Sequence, residues 1–85
     1  MGFFDFLDRV GGGHLIVLEG DLATCVRGDV PFRLLSDLAD LCDSGVQGRI
    51  ELRGHGPDLR VRTRGMSEAD EQRVRNIIMI YKAQI

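Results

Sequence analysis

The chain has 85 residues, 44% of them hydrophobic and 28% charged, with a net charge of −2. That size makes one domain, which buries about 60% of the surface its unfolded chain exposes. The composition excludes disorder, and no apolar run approaches the ~18 residues of a membrane span. The charge is unevenly spread. Residues 1–45 carry three arginines against eight acidic groups, and residues 46–85 carry eight basic against five acidic groups. Such asymmetry marks either an interaction surface or two halves that attract each other.

The opening MGFFDFLDRV is a short amphipathic piece. Phe3, Leu7 and Val10 share a helical face, flanked by Phe4 and Phe6. Gly11–Gly13 follow as a hinge, so the expected organisation is an N-terminal segment and linker at 1–13 and one domain at 14–85. Phe3, Phe4, Phe6 and Leu7 suit docking against the domain, against a partner or on a membrane surface. Asp5 and Asp8 against Arg9 alone weaken attraction to anionic lipid. No secretory signal pattern is expected here.

Residues 14–27 read as a hairpin, with Leu15–Glu19 and Leu22–Arg27 as strands and Gly20-Asp21 as a two-residue turn. The first strand is apolar without alternation, which predicts a central strand covered on both faces. A helix follows: Asp29 is placed to cap it, and Pro31 fits its first turn. Leu34, Leu35, Leu38, Leu41 and Cys42 form its apolar stripe, and Gly45 suits its end.

A second hairpin spans RIELR and LRVRTR. Ile50, Leu52, Leu59 and Val61 face one way, while Arg49, Arg53, Arg60, Arg62 and Arg64 face the other with Glu51. The last helix starts at Ser67, capped in the manner of a Ser-x-x-acidic box, and Val74, Ile77, Ile78, Tyr81 and Ile85 form its core stripe. Arg73 and Arg75 flank that stripe on opposite sides, as snorkelling arginines of a packing helix do. Gln72, Asn76, Met79, Ile80 and Ala83 make a mixed back face, a candidate for association with a partner or a second copy.

The expected fold is therefore α+β, in the order ββαββα: a four-stranded antiparallel sheet with two helices on one face. The arginine face of the second hairpin is the leading functional signal. It could contact phosphates, although no aromatic side chain stands on these strands to stack a base. A solvated sheet face with edge arginines looks similar. No nucleophile–base pair, metal-ligand spacing or phosphate-binding loop is legible, so no catalytic residue, metal or cofactor is expected. Cys25 and Cys42 read as reduced core thiols.

Gly28, Val30 and Pro31, then Gly48 and Ile50, then Gln72, Arg73, Arg75 and Asn76 resemble a family of small uncharacterised bacterial proteins, a domain-of-unknown-function family. Its members show a Gly-x-(Ile/Val)-Pro segment, a later Gly-x-Ile strand and a closing Gln-Arg-x-Arg-Asn. The resemblance covers roughly residues 15–78 and supplies no activity. Members often begin with a membrane-spanning helix, where this chain has MGFFDFLDRV. Taken together, the expectation is a non-enzymatic bacterial interaction module, cytoplasmic or peripheral to the inner membrane. It would bind a protein partner or itself, with nucleic acid or a membrane surface as alternatives and no small-molecule substrate.

Overall fold

A computed structural model describes residues 13–54 and 56–85. The element order is β1 (His14–Glu19), β2 (Leu22–Arg27), α1 (Phe32–Asp43), β3 (Gly48–Arg53), β4 (Arg60–Arg64) and α2 (Glu68–Tyr81). Short 3-10 turns lie at Gly56–Asp58 and Lys82–Gln84. The strands form one antiparallel sheet in the order β2-β1-β3-β4. This is the expected ββαββα architecture, with α1 and α2 packed on the same side. The N-terminal segment and His55 lie outside the described residues.

Alternation sorts the sheet into two faces. Across the inner face, Cys25, Ile16, Ile50 and Thr63 stand in register, and His14, Leu52 and Val61 form a neighbouring row. Ile16, Ile50 and Leu52 lose all exposure there. Helix α1 adds Leu34, Leu38, Leu41 and Cys42, and α2 adds Val74 and Ile78, with Ile77, Tyr81 and Ile85 half-buried beside them. Ala23 and Cys25 are the small inward residues of β2, over which α1 packs. Removing a fully buried branched side chain such as Ile50 from a core of this kind costs about 2–5 kcal/mol.

The turns follow the sequence chemistry. Gly20 has φ 64 and opens the first hairpin turn. At the end of α1, the Ser44 and Gly45 N–H groups donate to Leu41 and Cys42, and Val46 N–H returns to Leu41. Gly45 supplies the left-handed conformation at φ 94 that this closure needs. At α2, Asp70 N–H donates to Ser67 Oγ at 3.2 Å, the expected cap.

One expectation is corrected. Asp29 does not cap α1. Pro31 is the N-cap residue, and no side chain bonds the helix start. The Pro31 carbonyl instead accepts from Leu34 at 3.0 Å, while Asp29 N–H donates across to Nδ1 of His14 at 3.0 Å. The helix starts at Phe32, so Asp29 lies two residues ahead of the N-cap position from which a side chain reaches the first-turn N–H groups. Strand β1 is central, as expected; both helices lie on its inner side, and on its outer side Leu15 is buried and Val17 half-buried.

The two cysteines are free thiols. Cys42 is buried and Cys25 half-buried, and their sulfurs donate to the Leu22 and Arg27 carbonyls. Burial pushes both thiols above their usual range, which lowers the thiolate fraction and their reactivity.

The Tyr81 hydroxyl donates to Asp37 Oδ2 and so ties α2 to α1. That bond, reinforced by desolvation, pushes the phenol above its ordinary value. A raised folded value means the contribution to stability is complete below the unfolded phenol pKa and is lost as pH rises through the folded one. Tyr81 is the chain's only tyrosine and there is no tryptophan. Its ultraviolet phenolate titration should therefore give one curve, with a midpoint above free tyrosine in the wild type and closer to it in Asp37→Asn.

Candidate functional site

The outer face of the sheet is built by the residues that alternation turns away from the helices. In β3 and β4 these are Arg49, Glu51, Arg53, Arg60, Arg62 and Arg64. The five arginines are exposed and Glu51 is half-buried between the strands. Register places Arg49 directly opposite Arg64 and Arg53 directly opposite Arg60, while Glu51 faces Arg62. Like charges facing each other across a strand pair are destabilising, on the order of 0.2–1 kcal/mol for each pair on the scale of such contacts. Among the described residues, Arg73 pairs with Asp70 at 3.7 Å and Arg75 with Glu71 at 3.1 Å, and neither pair involves Arg49, Arg53, Arg60, Arg62 or Arg64. Five guanidinium groups thus share one surface, with Glu51 the sole acidic residue on the outward positions of these two strands.

The other half of the same face is apolar. Leu22 and Val26 of β2 are 64% and 48% exposed, and Val17 of β1 is half-buried beside them. Leu15 is buried on this face, between Arg27 and Glu51, and takes no part in the inner core. A register shift between Leu15 and Ile16 makes Val26 an extra residue in β2. This bulge turns both Val26 and Arg27 outward and disrupts pairing along an edge strand. Val17, Glu19, Leu22, Thr24 and Val26 line a shallow concavity here. The alternation in β2, with Ala23 and Cys25 inward and Leu22, Thr24 and Val26 outward, was the available signal for this half.

The back of α2 is where the periodicity placed it. Gln72, Asn76, Met79, Ile80 and Ala83 are all exposed, with Met79 at 46% and Ile80 at 70%. The Gln72 amide donates to Asn76 Oδ1 at 2.9 Å. These two side chains therefore satisfy each other along the helix.

Arg73 and Arg75 separate in role. Arg73 is a surface partner of Asp70, one turn back. Arg75 holds Glu71 through Nε at 3.2 Å and through a second guanidinium nitrogen. The other oxygen of Glu71 accepts from Thr63 Oγ1 at 2.7 Å. Glu71 thus clamps the start of α2 to β4, a contact between elements that helical periodicity alone does not reveal. The remaining motif residues also carry structural work. Gly28 has φ 77 at a point where any Cβ would collide with the His14 ring and the Gly13 carbonyl. Pro31 begins α1.

His14 is engaged through Nδ1, and among the described residues no cluster of histidine, cysteine or carboxylate has metal-binding geometry. Among the same residues no helix is long and apolar enough to cross a membrane. The candidate segment at Phe3, Phe4, Phe6 and Leu7 lies outside the described residues. In comparisons with known proteins, no family model, curated protein or solved structure matches the chain.

The bond from Thr63, and after it the bond from Arg75, hold the Glu71 carboxyl below the ordinary glutamate value. A depressed folded value means the clamp contributes stability above the unfolded pKa and loses it as pH falls through the folded one. Glu71→Gln should accordingly lower the urea midpoint at neutral pH. The gap from wild type should shrink as pH drops below about 4.3, the unperturbed glutamate pKa.

Proposed function

We propose that the protein is a non-enzymatic interaction module whose outer sheet face receives an acidic segment of a protein partner. The observation that carries this is the facing of Arg49 with Arg64 and of Arg53 with Arg60, all four exposed. A sheet that needed only solubility would be better served by mixed charges. Local repulsion without an internal compensation is the kind of rule-breaking that binding surfaces show. A carboxylate-bearing partner relieves it, and guanidinium groups suit bidentate carboxylate recognition.

Protein is favoured over nucleic acid by what adjoins the arginines. Val17, Leu22 and Val26 give the face an apolar side next to its charged one. Apolar contact beside arginine anchors is the usual anatomy of protein interfaces. No aromatic side chain stands on the four strands to stack a base, and Glu51 would repel phosphates. Membership of the small bacterial family suggested by Gly28, Pro31, Gln72, Arg73, Arg75 and Asn76 is part of the same proposal. So is a cytoplasmic or inner-membrane-peripheral location.

The test is fluorescence anisotropy with two labelled probes, a peptide alternating glutamate with leucine and a single-stranded DNA of equal charge. The peptide should bind more tightly and weaken with added salt. Arg60→Glu combined with Arg62→Glu should cost it roughly tenfold or more, about 1.4 kcal/mol. Tighter DNA binding with a steep salt dependence would replace this reading with a nucleic-acid one. Light scattering on the same samples tests whether the partner is a second copy. A dimer lost at high salt would indicate charge pairing between copies, and a salt-insensitive dimer abolished by Ile80→Asp would indicate the back of α2.

A further inference from the structure

We infer that edge strand β2 pairs antiparallel with β2 of a second copy of this chain, about a two-fold axis at Thr24. The two edges of the sheet are built differently. Strand β4 carries Arg60, Arg62 and Arg64 on its exposed positions, and such charges guard an edge against further pairing. Strand β2 carries Leu22, Thr24 and Val26 there, and among the described residues it has a strand neighbour on one side only. Its bulge lies beyond Cys25 and leaves Leu22–Cys25 in regular register with β1.

The backbone sets the register. The two-residue turn closes Glu19 on Leu22, so that pair exchanges hydrogen bonds, and bonded and unbonded pairs then alternate along the ladder. Thr24 therefore bonds β1, while Ala23 and Cys25 turn their N–H and C=O groups to the free edge. When two β2 strands are centred on Thr24, Ala23 of each copy meets Cys25 of the other, and the edge groups satisfy one another. The side chains are self-complementary in the same register. Leu22 meets Val26 of the second copy and Thr24 meets Thr24, both favourable cross-strand pairings, and the small Ala23 and Cys25 meet on the helix side. At the ends Asp21 meets Arg27 of the second copy, one opposite-charge pair on each side of the axis. A guanidinium carries five donors, so Arg27 serves this pair along with its contact inside the chain.

Helix α1 is apolar on the same side of the molecule. Cys42, Leu35, Ala39 and Phe32 lie within an arc of about 80° on this helix. Cys42 donates to the Leu22 carbonyl, so that flank overlooks β2, while Asp37 on the opposite flank bonds Tyr81 of α2. Leu35 and Ala39 are half-buried and Phe32 is 81% exposed. The axis that joins the β2 strands brings this flank against its own copy, with the two α1 helices antiparallel above the joined sheet. Ala39 is small enough for them to approach closely. Sheet and helix layers thus continue through one contact, and a contact of this symmetry closes as a dimer. The outer face stays open, so the inference stands whether or not the arginines bind an acidic segment.

The experiment uses the full chain with a cysteine placed at the axis. In an unbonded antiparallel pair the two Cα atoms at position 24 sit about 4.5 Å apart, within disulfide range. Mild oxidation of Thr24→Cys should give a covalent dimer, while the wild type and Gln72→Cys stay uncrosslinked. In sedimentation the wild type should be a dimer that persists at high salt and survives Ile80→Asp. Thr24→Lys sets two ammonium groups opposite each other and should weaken the dimer roughly tenfold or more. The Ile16, Ile50 and Val74 methyl shifts should stay in place in that variant, which separates dissociation from unfolding. A monomeric wild type, or a dimer that Thr24→Lys leaves intact, would overturn the inference. Cross-linking of Gln72→Cys instead of Thr24→Cys would also overturn it and assign self-association to the back of α2.

Discussion

Both helices pack on one face of the four-stranded sheet, and the alternation in β3 and β4 decides which face that is. Ile50, Leu52 and Val61 must be buried, so Arg49, Arg53, Arg60, Arg62 and Arg64 must point away. A slip of one residue would bring the arginines into the core, where an unpaired charge costs several kcal/mol. The register is therefore fixed by the inner face. The outer face inherits its arginine-on-arginine geometry as a consequence.

The functional proposal grows from that inheritance. Each half of the outer face poses a different unmet demand. The β3–β4 half sets five arginines against Glu51 alone, and the β1–β2 half leaves Leu22 and Val26 exposed. An acidic partner segment that also carries apolar side chains, as proposed, answers both. Elsewhere the polar groups are settled internally. Gln72 with Asn76, Arg75 with Glu71, and Tyr81 with Asp37 are explained by the fold they support.

Much of this fold was legible because two periodicities are cleanly written. Leu34, Leu38, Leu41 and Cys42 repeat as a helix stripe, and RIELR with LRVRTR alternates as a half-buried hairpin. Strand order was not legible, because the pattern in β1 and β3 says that both are buried without saying that they are neighbours. The Glu71 clamp was hidden for a related reason: Thr63 and Glu71 are eight residues apart in sequence and on different elements. The arginine face itself was visible, but its opposed pairs required the register of β3 against β4. The missed cap at α1 is an error of boundary: the helix starts at Phe32 with Pro31 as N-cap, two residues later than an Asp29 cap requires.

The central claim is that arginines face each other across β3 and β4 without internal relief. A double-mutant cycle on Arg49 and Arg64 tests it most directly, with each replaced by glutamine singly and together and stability read by urea unfolding at low salt. The coupling should be repulsive, about 0.2–1 kcal/mol on the scale of cross-strand pairs, and should fade at high salt as screening sets in. A coupling of zero, or a favourable one that ignores salt, would show the two guanidinium groups to be separated or neutralised within the chain. It would remove the physical basis of the proposed binding face.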